Sequence, residues 1–109
     1  MNIVEKNNYD DIMNEMCAGI ITYYNLDLLN HSFDIKVEVL ENSVKKKFEV
    51  SFSTIILFQL KHEHEPYQWE YLELTDIDLV YKDEVYTVNI DFWSMANLKL
   101  KCKYIEIKK

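Results

Sequence analysis

Hydrophobic residues recur at two different spacings along the chain, and the spacing changes at Gly19. Before it, Ile12 and Met16 lie four residues apart, which places both on one side of a helix. Asn8 is suited to cap the first turn, and a glycine commonly follows the last turn. The pattern therefore predicts one short amphipathic helix over residues 9–18.

After this helix, apolar and polar residues alternate, as they do in a β-strand with one buried face. Short turns that contain Asn, Asp or Ser separate six such runs. In the run SFDIKVEVLE four apolar residues share one face: Phe33, Ile35, Val37 and Val39. The alternation changes parity near Thr75, which predicts a β-bulge there.

These elements predict a single α+β domain over residues 1–109 that is mainly β, with the helix followed by a six-stranded antiparallel meander. The sheet could be curved, rolled into a small barrel or folded into a sandwich, and periodicity does not choose among these. A meander leaves two edge strands, and Lys99, Lys101 and Lys103 on the last strand would protect one edge from pairing. Dimerisation through another edge stays open.

The rarer residue types exclude several kinds of chemistry. Phosphate- and dinucleotide-binding loops need several glycines, and this chain has one. Every basic residue is a lysine and the isoelectric point is about 4.9, so nucleic-acid binding is not expected. The chain contains no apolar run of membrane-spanning length and no signal-peptide pattern. With only Cys17 and Cys102, both expected to be buried thiols, we expect a cytoplasmic protein without membrane association.

Residues 63–91 carry nine carboxylates and one lysine, a formal charge of −8 against −7 for the whole chain. Tyrosine and tryptophan residues are interleaved with these acids. Charges around an interface speed association, and exposed aromatic side chains supply the contacts that hold it. The residues predicted to contact a basic protein partner are Glu63, Glu65, Tyr67, Trp69, Glu70, Tyr71, Glu73, Asp76 and Asp78. The simpler alternative is a solvated sheet face that keeps the protein soluble.

A metal site would have to begin from His62 and His64, which would share one side of a strand. Zinc requires three or four ligands, and the only other histidine is His31. A solvated loop explains these residues better, and we predict neither a metal nor an organic cofactor.

Catalytic groups are equally incomplete. Carboxylate pairs such as Glu70 with Asp91, or Glu73 with Asp76, could serve as acid and base, but nothing singles out two acids among so many. Cys17 lacks a neighbouring base that would make it a nucleophile. We therefore expect the protein not to be an enzyme.

Three segments resemble the YxiG-like family of small proteins from Gram-positive bacteria. They are the hydrophobic strand FEVSFSTIILF, the acidic segment WEYLELTDID and the final strand ANLKLKCKYIEI. Members of this family are often encoded beside large secreted or wall-associated polymorphic toxins. The resemblance implies an uncharacterised β-rich protein or an immunity protein, and it carries no functional residues onto this chain.

The leading hypothesis is therefore a protein-binding module, an immunity- or antitoxin-type inhibitor that presents an acidic, aromatic surface to a basic protein such as a toxin domain. One alternative is a small-ligand carrier built on a barrel or curved sheet, because the stretch from Ile55 to Phe58 is apolar on both faces. The other alternative is a structural domain of uncharacterised role.

Overall fold

The computed structural model describes residues 2–62, 72–92 and 96–109. Within these ranges a short 3-10 turn, Lys6–Asn8, leads into one helix and seven strands. Their bounds are α1 Tyr9–Met16, β1 Ile20–Asp27, β2 Ser32–Glu41, β3 Val44–His62, β4 Leu72–Glu73, β5 Asp76–Lys82, β6 Val85–Phe92 and β7 Ala96–Lys108. The strands form one open, curved antiparallel sheet, which confirms the predicted mainly β fold with a short N-terminal helix.

The strand order is β4-β1-β2-β3-β7-β6-β5, so the sheet consists of two meanders joined side by side through β3 and β7. The prediction of one continuous meander is corrected at this junction. Lysine-rich β7 lies in the middle of the sheet and is not the protected edge that its lysines predicted. Alternation along a strand determines which face is buried, but it does not determine which strand lies alongside.

At the position where a bulge was predicted, the fourth run is interrupted and divides into β4 and β5. The Leu74 N–H donates to the Gly19 carbonyl at 2.9 Å, and the Leu74 carbonyl accepts from the Ala18 N–H at 2.7 Å. The Thr75 N–H donates to the Asp91 carbonyl at 2.9 Å. Since β4 pairs with β1 and β5 pairs with β6, these two residues carry the chain from one edge of the sheet to the other.

Helix α1 covers the concave face of the sheet. It buries Ile12, Met13 and Met16 among the strands, and the Tyr9 hydroxyl donates to the Ile105 carbonyl of β7 at 2.7 Å. The helix is two residues shorter than predicted, and the side chain of Asn8 makes no capping hydrogen bond.

Gly19 is required for close packing and not for an unusual backbone angle. The left-handed residue that follows the helix is Ala18, with φ of 70°. A Cβ atom on Gly19 would lie 2.7 Å from both the Met16 carbonyl oxygen and Val37 Cγ1. Gly19 was correctly predicted to lie near the end of the helix. The physical reason for a glycine there is that the Gly19 backbone packs closely against β2.

Strand β3 is irregular near its middle, where Thr54 has φ of 54° and the register with β7 shifts between Ile55 and Leu57. Before this irregularity the alternating residues Phe48, Val50 and Phe52 are buried. Within it the alternation is lost, so that Ile56 is more than half exposed.

The hairpins β2–β3 and β5–β6 end in two-residue turns, Asn42–Ser43 and Asp83–Glu84. All four turn residues have positive φ between 52° and 64°, which is the type I′ geometry that matches the twist of the flanking strands.

Candidate partner-binding surface

The described chain contains three of the nine residues predicted to contact a partner. Glu73 lies on β4, and Asp76 and Asp78 lie on β5. The other six, Glu63, Glu65, Tyr67, Trp69, Glu70 and Tyr71, lie outside the described residues, as do His64 and the side chain of His62.

Three carboxylates share the outer, convex face of the β5–β6 hairpin, and we call them the acidic patch: Asp76, Asp78 and Asp91. Asp76 is directly opposite Asp91 in the strand register, and Asp78 lies two residues further along the same face. Asp76 and Asp78 are exposed, while Asp91 is half-buried and accepts a hydrogen bond from Asn97 Nδ2 at 2.7 Å. Like charges directly across a strand pair are destabilising, so this arrangement is not explained by stability.

Apolar side chains continue the same strand beyond the acidic patch. Val80 and Tyr81 are each 56% exposed, on the outer and inner face respectively. The Tyr81 ring packs against Tyr86 with centroids 4.4 Å apart, and Tyr86 in turn lies 6.3 Å from the Tyr9 ring of α1. Tyr81 is therefore held in place from beneath while much of its ring faces solvent.

No lysine of the described ranges forms an ion pair with the acidic patch. The ion pairs on β-strands are concentrated in the other half of the sheet, at separations between 2.9 and 4.0 Å. They are Lys36–Glu49, Lys45–Glu38, Lys46–Glu41 and Lys47–Glu38. The outward lysines of β7 nearest to the patch, Lys99 and Lys101, are registered opposite Asn89 and Thr87 of β6.

The carboxylate pair Glu73 and Asp76 does not face a shared cleft in the strand register. Glu73 pairs with Ile20 of β1, whereas Asp76 pairs with Asp91 of β6, and the edge-to-edge connection at Leu74 lies between them. The other pair, Glu70 with Asp91, has one member outside the described residues.

Both cysteines are free thiols; Cys102 is buried, as predicted, whereas Cys17 is only partly buried. Burial raises the pKa of Cys102 to about 11, and burial also raises the pKa of the half-buried Cys17. Because a thiolate is the nucleophilic form, these shifts leave both sulfurs protonated and unreactive at neutral pH.

Strand β1 carries an exposed apolar surface that the sequence reasoning missed. The side chains that face solvent there and in the following turn are Tyr23, Tyr24, Leu26, Leu28 and Leu29, the last of them 92% exposed. The turn is held by Asp27, whose carboxylate accepts from the Leu29 and Asn30 N–H groups and from Asn30 Nδ2, and these bonds from Asn30 and Leu29 lower its pKa. The sequence did contain a signal for this surface, because the apolar residues of ITYYNLDLL occupy both odd and even positions.

The concave face offers little support for a ligand carrier. Its central side chains, including Phe48, Phe52 and Leu100, are almost fully buried against α1 and one another. Ile55 and Phe58, the proposed pocket lining, are partly buried and pack against this core. A depression of about 190 Å³ does occur on the outer face, but polar residues such as Lys36, Glu49 and Asp34 contribute to its walls.

Fold and surface together define a small β-rich protein with a helix-covered curved sheet and an acidic edge hairpin. No helix in the described ranges has the length and apolar character needed to cross a bilayer. The family model for YxiG-like proteins matches residues 9–102, and the chain belongs to that family, as the resemblance predicted.

No match was found among the curated proteins. A solved structure with a similar fold is the crystal structure of an uncharacterized protein from Neisseria gonorrhoeae, with a TM-score of 0.64 and 11% sequence identity. The alignment covers 85% of this chain and 92% of that chain. At this identity the likeness concerns the fold alone.

Proposed function

We propose that this YxiG-like protein is a non-enzymatic protein-binding module, and that it acts as an immunity-type inhibitor of a basic protein such as a toxin domain. One observation carries the proposal: exposed Asp76 and Asp78, unpaired with any lysine of the described chain, lie on the same strand as the exposed Val80 and Tyr81.

The charges supply long-range attraction. Unneutralised carboxylates on one face raise the encounter rate with a basic molecule, and their effect extends over about one Debye length, roughly 8 Å at physiological salt. The net charge of −7 adds to this attraction. A basic domain would approach the outer face of β5–β6 first.

The apolar side chains supply short-range contact. A tyrosine that is already packed on one side loses little conformational freedom when its other side is covered, which favours it as an interface anchor. Tyr81 meets this condition through its contact with Tyr86.

The test is to express the protein together with a basic toxin domain sought among the products of neighbouring genes, and then to measure binding with the purified pair. Growth should be restored in the presence of this protein. Changing Asp76 and Asp78 together to lysine should lower the association rate constant by about tenfold or more, on the scale of electrostatic steering.

A matched control alters the other half of the same outer face. Asp34→Lys with Glu49→Lys produces the same change in net charge on β2 and β3, and the association rate constant should change much less. A toxin that kills despite equal expression would refute the inhibitor role. Equal losses in both double variants would refute the assignment of the surface while leaving the inhibitor role intact.

A further inference from the structure

Strand β5 is an edge of the sheet. In the described chain it pairs with β6 on one side, and it is the last strand in the sheet order on the other. Such an edge presents unpaired backbone groups that can pair with a strand of another molecule. A strand that complements β5 could therefore pair with it.

The hairpin geometry identifies which backbone groups are available. Lys82 and Val85 close a two-residue turn, so they form the hydrogen-bonded pair that ends the hairpin. By alternation, the backbone groups of Leu79 and Tyr81 point away from β6. Those of Ile77 also point outward, but its backbone lies beside the Cys17 sulfur and acts to lower the pKa of that thiol. Among the described residues, none pairs with this edge from about Asp78 onward.

The sequence of this free segment complements itself. If two copies of β5 pair antiparallel about Val80, each Leu79 faces Tyr81 of the second copy on the inner side. On the outer side the two Val80 side chains meet, and each Asp78 lies opposite Lys82 of the second copy. Exposed edge strands usually carry charges that repel a second copy, whereas here the two charges attract.

We propose that β5 forms the interface of a symmetric homodimer, in which two copies pair as antiparallel strands around Val80 and Asp78 of each copy faces Lys82 of the other. The residues that would be covered include Val80 and Tyr81, both more than half exposed in the single chain. The paired segment is only five residues long, well below a standard interface of about 800 Å² per partner. The dimer is therefore weak and forms at high protein concentration.

This inference does not rest on the proposed function, although Asp78, Val80 and Tyr81 take part in both. In the dimer Asp78 is neutralised by a lysine, so a basic partner and a second copy compete for it. Lys82→Asp separates the two ideas, because it removes the attraction between copies and leaves the acidic patch in place.

The test is sedimentation velocity of the purified chain between about 5 and 500 µM, a range suited to a small interface. The wild type should shift from monomer toward dimer across this range. Lys82→Asp and Asp78→Lys should each weaken dimerisation by about tenfold, because each places like charges opposite one another. The double variant with both changes should restore it, since the pair is then reversed and attractive again.

Two further variants protect this test from effects on folding. Val80→Lys places two lysines at the symmetry axis and should abolish the dimer, whereas Thr87→Lys, opposite Val80 on β6 and one strand away from the edge, should leave it unchanged. A wild type that stays monomeric throughout the range would overturn the proposal. So would a dimer that responds equally to Val80→Lys and Thr87→Lys, or that the charge reversal fails to restore.

Discussion

The hairpins β2–β3 and β5–β6 are built alike on one face and differently on the other. Both end in a type I′ turn, and both bury every second residue, with Val37 and Val88 at 0% exposure. On the outer face, β2–β3 pairs Lys36, Lys45 and Lys47 with its own glutamates, whereas β5–β6 leaves Asp76 and Asp78 without a lysine in the described chain.

The difference separates what folding requires from what it leaves free. The inner faces must exclude water, so both hairpins obey the same alternation. Exposed ion pairs contribute little to stability, typically 0–1 kcal/mol, so the outer faces are free to differ. A hairpin whose charges are paired internally attracts no charged partner. A hairpin with unpaired carboxylates can attract a basic one.

Matched core substitutions test whether the two inner faces are equivalent, and they have the largest expected effect on the free energy of unfolding. Val37→Ala and Val88→Ala should each lower the free energy of unfolding by about 2 kcal/mol, from two lost methyl groups and the cavity that remains. Urea denaturation followed by tryptophan fluorescence and circular dichroism would measure both.

Val80→Ala is the control, because this valine is exposed on the outer face and should cost less than about 0.5 kcal/mol in the monomer. If one core variant has no effect, or if the two probes give different midpoints, the hairpins do not share one cooperative core.

The inner face was the part of the fold that the sequence predicted well. Strict alternation placed Ile35, Val37, Val88 and Ile90 on the buried side, and all four are buried. Alternation is a property of a single strand, so the buried face can be predicted without knowing which strands lie beside it. The same logic fails in the middle of β3, where the left-handed Thr54 and a register shift between Ile55 and Leu57 interrupt the alternation.

The surface was harder to predict, because charge along the chain does not reveal which strands are adjacent. Lys99 and Lys101 were expected at an edge and lie in the centre of the sheet, since β7 pairs with both β3 and β6. The acidic patch depends on Asp91, which is distant from Asp76 in sequence but directly opposite it in the register. The exposed apolar side chains of β1 were missed for the same reason.

The shared turn geometry offers a second test, with an intermediate effect. Ser43→Gly and Glu84→Gly should each stabilise the protein by about 0.5–1 kcal/mol, because the second turn residue has positive φ and a side chain is disfavoured there. Both changes create preferred type I′ pairs, Asn-Gly and Asp-Gly. Thermal denaturation of the two variants would give the shifts.

Thr87→Gly is the matched control, since this strand residue does not have positive φ and glycine should destabilise it by about 0.5–1 kcal/mol. A loss of stability in either turn variant would contradict the type I′ assignment of that hairpin.

The smallest expected effect concerns the charges of the two hairpins, through the ion pair between Lys46 and Glu41 at 2.9 Å, which lies near the β2–β3 turn on the same face as Val39. The Lys46 ammonium lowers the pKa of Glu41 below its usual value of 4.5, first through the hydrogen bond and then through its charge. A carboxyl whose pKa is lower in the folded state stabilises the fold above its unfolded pKa. That contribution is lost as the pH falls through the folded value.

Glu41→Gln should therefore lower the denaturation midpoint slightly at pH 7, and the difference from wild type should shrink below the usual pKa of 4.5 and disappear once the pH lies below the lowered pKa of the folded state. Asp76→Asn makes the comparison, because Asp76 faces Asp91 instead of a lysine, and its midpoint at pH 7 should stay unchanged or rise. If Asp76→Asn lowers the midpoint as Glu41→Gln does, then Asp76 has a stabilising partner and the β5–β6 hairpin is neutralised like its counterpart. Its charge would then be unavailable for a basic protein, and the proposed difference between the two outer faces would not hold.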